Sequence, residues 1–133
     1  MRLWLANLGL LTLRVMAGAG IARHGYQKVF EGQVHGLTAA TAAMGLPAPA
    51  VFAWAAALSE LLGGILVALG LLTRPAAFFV FATMSVAAFD HHRADPLAVK
   101  ELALAYWTVA LALILTGPGG FSLDRLFGYE KGR

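Results

Sequence analysis

The stretch 53–74, AWAAALSELLGGILVALGLLTR, constrains this chain more than any other. It is long and apolar enough to cross a bilayer, whose hydrocarbon core takes about 20 apolar residues in a helix. It also carries one carboxylate, Glu60, near its middle. A charge at that depth is costly and normally faces a partner or a wet cavity, so the rest of the chain has to answer Glu60.

Composition sets the solvent. Of 133 residues, 59% are hydrophobic and 13% charged, too few charges to cover a water-soluble domain of this size. The length suits one domain, and the composition points to an integral membrane protein in contact with the lipid bilayer. The formal net charge is +3, but the basic residues stand singly among apolar segments and form no stripe that would follow phosphates. Nucleic acid is therefore not an expected partner; helix-end anchors at a membrane surface suit these residues better. The chain has no cysteine, which removes thiolate catalysis, disulfide exchange and a cysteine-held iron–sulfur cluster.

Along the chain, residues 3–21 form a first expected span. Arg2 and the AGAGIA run resemble a signal peptide, but Arg14 interrupts what would be its apolar core. Residues 24–50 read as a long connection. Within it Val34, Leu37, Thr41 and Met44 recur at helical spacing, so 33–44 is expected as a short interfacial helix, ended by Pro47 and Pro49. Further spans are expected at 51–72, 76–92 and 97–116, the last stopped by Gly117-Pro118-Gly119-Gly120. Ser122 then caps a short terminal helix with Asp124 in its first turn. The fold class is all-α: an antiparallel bundle of four transmembrane helices, with both termini on one side. Arg2, Arg74, Arg125, Lys131 and Arg133 fall on that side and Arg23, Lys28, Arg93 and Lys100 on the other, a balance that favours termini in the cytoplasm.

Counted from the ends of these spans, Glu60 lies roughly 13 Å and Arg14 roughly 10 Å below the same surface. An Arg14–Glu60 ion pair is the expected arrangement, since neither charge is tolerable alone. Above it, His24, Lys28, Asp90, His91, His92, Lys100 and Glu101 map to the outer end of the bundle, where they suit a polar funnel. Asp90, His91 and His92 are weak metal candidates: imidazole and carboxylate suit zinc, iron or copper, but adjacent histidines point to different sides of a helix. Gly63-Gly64 with Ala68, and Gly18-Ala19-Gly20, suit close helix approach. Trp4, Trp54 and Trp107 read as interfacial or lipid-facing.

These residues resemble the DoxX family over nearly the whole chain, 1–133. The resemblance rests on Arg14 followed by His24-Gly25-Tyr26-Gln27-Lys28, and on Glu60-Leu61-Leu62-Gly63-Gly64 with Gly70-Leu71-Leu72-Thr73-Arg74. It rests also on Lys100-Glu101 with Tyr106, and on Gly117-Pro118-Gly119-Gly120-Phe121-Ser122-Leu123-Asp124. It implies a four-helix bundle in the inner membrane and an association with redox chemistry, as a quinone-linked oxidoreductase component working with a partner protein. Under that expectation Arg14, His24, Lys28, Glu60 and Glu101 bind a small polar or quinone-like ligand in the funnel, and the chain is an accessory subunit. The alternative is a non-enzymatic solute carrier or a scaffold for a partner, dimerising through its glycine-rich faces.

Overall fold

The computed structural model describes residues 1–92 and 94–131, with the backbone alone for His91; Arg93 and Arg133, counted above for orientation, lie outside the described residues. These residues form helices and no strand: α1 (Arg2–Phe30), α2 (Gln33–Ala43), α3 (Pro49–Leu69), α4 (Thr73–Val86), α5 (Leu97–Thr116) and α6 (Leu123–Leu126). A π-helical turn, Ala87–His91, prolongs α4. Three helices, α1, α3 and α5, are long and apolar enough to cross a membrane. The expected short helix in the first loop is present as α2, and the expected last span matches α5 in both bounds.

The first helix corrects the sequence-based boundary. It does not stop at Ile21 but runs 29 residues to Phe30. At about 1.5 Å per residue that is roughly 43 Å, well beyond an apolar core of about 30 Å. The polar run Arg23-His24-Gly25-Tyr26-Gln27-Lys28 contains no proline, and with Gly25 packed on a neighbour nothing in it breaks the helix. Its last turns therefore carry His24 and Lys28 as helical side chains.

α1 and α3 lie antiparallel with their backbones nearly touching. A Cβ on Gly18 would stand 2.6 Å from Ala68 N and from Gly64 O, and one on Gly64 would stand 2.7 Å from Gly18 O. Seven residues along α1, a Cβ on Gly25 would meet Leu61 Cα at 2.6 Å. Only hydrogen fits at these points, which is how small residues let helices associate where no hydrophobic drive separates protein from lipid. Gly63, one step round α3, lies against Val80 of α4. The glycine faces offered by the sequence for dimerisation are thus occupied within one chain, Gly20 included, which faces the Tyr106 hydroxyl of α5. α4 packs against α5 through Trp107, whose indole N–H donates to Ser85 Oγ at 3.0 Å. That tryptophan is an internal strut, not a lipid-facing ring.

This register separates the two charges expected to pair. Arg14 lies beside Gly70 and Ala68, while Glu60 lies beside Gly25; at about 1.5 Å per residue, the stretch of α1 between Arg14 and Gly25 spans roughly 16 Å. Arg14, 1% exposed, instead donates to three backbone carbonyls: Pro118, Phe121 at 2.6 Å and, at 3.4 Å, Ala68. The Gly117–Ser122 loop closes round the guanidinium, held further by Gly120 N–H donating to Asn7 Oδ1 at 2.8 Å. Asp124, also buried, supplies the countercharge in electrostatic range. Its carboxylate accepts from Leu72 N at 2.6 Å and Thr73 N at 2.8 Å. Asp124 therefore caps α4 from more than fifty residues away, in addition to its expected place in the first turn of α6, where Ser122 Oγ accepts from Arg125 N at 3.3 Å.

Two predictions follow from this packing. Gly64→Leu forces a side chain into backbone and is expected to lower thermal stability in detergent sharply, by more than the about 1–3 kcal/mol of ordinary overpacking. Gly36→Leu, with nothing within 4 Å of its added Cβ, is expected to stay near wild type. Arg14→Gln and Glu60→Gln are expected to destabilise additively, within about 0.5 kcal/mol, as separated sites do; partial rescue in the double variant would place the two side chains in contact after all.

Candidate functional site

Glu60 sits on the face of α3 turned toward the last turns of α1 and is 1% exposed. Its answering charge is Lys28. The ammonium nitrogen lies 2.6 Å from Oε1 and 2.7 Å from Oε2, spanning both carboxylate oxygens. Lys28 reaches it because α1 persists to Phe30, and because Gly25 brings that end of α1 onto Leu61. Two of the three ammonium donors go to Glu60, while the Lys28 side chain stays 23% exposed. Removing Lys28 leaves Glu60 buried and alone, which costs about 3–5 kcal/mol in comparable pairs.

The pair forms part of the wall of two cavities. The first, about 180 Å³, lies among α1, α4 and α5, and brings His24, Lys28, Glu60, His92 and Tyr106 round one space closed below by Ile21 and Met84. His24 and Tyr106 meet edge to face with ring centroids 6.1 Å apart, and they stand on neighbouring helices, α1 and α5. The second cavity, about 410 Å³, lies among α2, α3 and α4 and is mostly apolar. Lys28, Glu60, Ala87 and His92 belong to both.

His92 reaches the cavities through the π turn. His92 N–H donates to Ala87 O at 3.0 Å, five residues back, so the helix carries one residue more than an α turn would. Such widened turns are concentrated at functional sites. His92 also bonds Asp95 through Nδ1, at 2.7 Å.

Of the residues named from sequence, His24, Lys28 and Glu60 are brought together. Arg14 is not: it is caged at the opposite end of α1, beside Pro118 and Phe121. Glu101 is exposed on α5 and lines neither cavity. Asp90 is exposed, and the His91 side chain lies outside the described residues. Among the described residues no group of three or more His, Asp or Glu side chains is gathered as a metal site. Tyr106 and the π turn carry no sequence signal of a site; Tyr106 stands out only by its place in the family pattern. Lys28 stands out in the sequence by type and place, but its partnership with Glu60 depends on the α1–α3 register, which packing supplies.

The arrangement can hydrogen-bond and exchange protons. It presents a cation, a carboxylate, a phenol and imidazoles to one space near the end of the apolar helices.

A family profile described as DoxX matches residues 9–93. Inner membrane protein YphA of Escherichia coli is 39% identical over 93 residues, 63% of this chain and 66% of that protein. An uncharacterized protein of Haemophilus influenzae is 34% identical over 122 residues, 86% of this chain and 87% of its own length. No solved structure matches. The matched region covers α1 from its third turn and all of α2 to α4, with Arg14, His24, Lys28 and Glu60, and with three helices apolar enough to cross a bilayer the chain is a membrane protein of the DoxX family.

Proposed function

We propose that this chain is the ligand-binding, accessory component of a quinone-linked membrane oxidoreductase, and that the ring of a quinone-like molecule is held in the 180 Å³ cavity. One observation carries this reading. A buried Lys28–Glu60 pair, with one ammonium donor left over, faces the same space as His24, His92 and Tyr106. Carbonyl oxygens are acceptors only, so a Lys donor and a phenol O–H suit them as partners. A bound quinone supplies the two-electron chemistry that the chain's own side chains lack. Lys28 orients an oxygen, and Tyr106 donates to it or to its neighbour. Glu60, near enough to Lys28 to share its protons, serves as the proton acceptor or donor at the inner wall. Glu101, exposed and outside the cavity, is dropped from that role; Arg14 is a structural clasp.

The same reading places the chain in the inner membrane as a multi-pass protein, with α4 and its π-turn extension as a fourth crossing beside α1, α3 and α5. Arg74, Arg125 and Lys131 at the end opposite Lys28 favour that end as the cytoplasmic one. Electrons would come from a partner protein, which makes the chain a docking and binding subunit.

Purification in mild detergent followed by native mass spectrometry tests the proposal. A co-purifying quinone, retained by wild type and weakened at least tenfold by Lys28→Met, Glu60→Gln or the milder Tyr106→Phe, is the expected result. An empty protein to which added quinone does not bind would overturn it. Solute flux in proteoliposomes by such an empty protein would establish a carrier in its place. Within the site, a double-mutant cycle of Lys28→Met and Glu60→Gln is expected to show coupling of about 0.5–3 kcal/mol in stability, and a coupling near zero would deny the ion pair.

A further inference from the structure

The second cavity has no role in holding a ring. It is a groove of about 410 Å³ floored by Ala56 and Ser59 of α3, and walled by Leu37 of α2, by Met44 just past the end of that helix and by Phe79 and Val86 on α4. Its α3 residues recur at helical spacing from Phe52 to Glu60, a run of roughly 12 Å at about 1.5 Å per residue. Phe52, on the membrane-crossing helix α3, and Phe79 of α4 stand half exposed at its margins.

Two of its three hydroxyl side chains are turned away from it chemically. Thr41 Oγ1 donates to Leu37 O at 2.7 Å and Thr83 Oγ1 to Phe79 O at 2.9 Å, each within its own helix. A threonine bonded in this way spends its hydrogen on the helix backbone, so the groove gains little capacity to hold water. Water in such a space would lack the two to four polar partners it needs. At one end the apolar wall gives way to Lys28, Glu60 and His92, which the groove shares with the polar cavity.

We propose that this groove holds the hydrocarbon tail of the ligand whose polar ring sits at Lys28–Glu60, and that the ligand enters sideways from the bilayer between α2 and α4. The proposal rests on the ligand-binding reading above and narrows it. The substrate class is a lipid-soluble quinone with an isoprenoid or alkyl chain, and the tail contributes affinity by leaving lipid for a fitted apolar wall. Polar head and apolar tail meet at one ion pair, which sets how far the molecule can advance. Water-soluble quinones of the same ring reach only the polar cavity.

The test measures dissociation constants for ring-identical quinones, tailless and carrying a ten-carbon chain, on the whole protein in nanodiscs. Wild type is compared with Ala56→Phe and Ala82→Phe, each of which fills the groove from a different helix. A tail also concentrates a ligand in the bilayer, but that partition is common to all three proteins and cancels in the ratio between them. The expected result is a loss of at least tenfold for the tailed quinone in both variants, with tailless binding unchanged. Equal loss of tailed and tailless binding, or none of either, overturns the groove as a tail site while the ring site stands. A phospholipid found held in the groove while the tailed quinone still binds at full affinity also overturns it. Failure of both quinones to bind wild type overturns the ring site, and the tail site with it.

Discussion

The seam between α1 and α3 fixes everything else. Gly18, Gly25 and Gly64 let the two backbones come close enough that a single added carbon would strike main-chain atoms. Contact that close admits one register. In lipid, where apolar side chains gain nothing by leaving their solvent, such packing is a main source of helix association. The register then decides which charge meets which: Lys28 is delivered to Glu60 and Arg14 to the Gly117–Ser122 loop.

The two ends of the structure solve the cost of buried charge differently. Around Arg14 the answer is a cage of carbonyl dipoles with Asp124 nearby, so the guanidinium is held by backbone groups that cannot leave. Around Glu60 the answer is one mobile side chain, Lys28, part of which is exposed to a cavity. The first arrangement suits permanence. The second leaves donors and acceptors that a ligand can engage, and it is the better place for chemistry.

Much of the helix pattern was legible from apolar runs and their breakers. The bounds of α5, the presence of α2 between its prolines and the connection, and the cap of α6 by Ser122 all follow from local signals. The charge partners were not legible, for a definite reason. Depth was counted from an end placed at Ile21, because the polar run after it looks like a loop; in the structure that run is helix, and the reference moves by nine residues. Helix register is a relation between segments that only packing supplies. The Asp124 bonds to Leu72 and Thr73 are another case: a carboxylate in the first turn of a short helix gives no hint that its oxygens satisfy a different helix. His24 and Lys28 were identified by type and place, and their surroundings came from the fold.

The closure of the loop over Arg14 has a consequence for biosynthesis. A chain emerging from the ribosome inserts α1 with Arg14 at membrane depth about a hundred residues before Pro118 and Phe121 exist to receive it. The free amides at the start of α4 wait similarly for Asp124. Until the segment from Gly117 to Asp124 arrives, the nascent protein carries an unanswered cation and an uncapped helix in a low-dielectric setting. The segment from Gly117 to Asp124 thus acts as a latch, completing a core laid down before it, and a nascent chain halted short of it leaves both buried ends unmade.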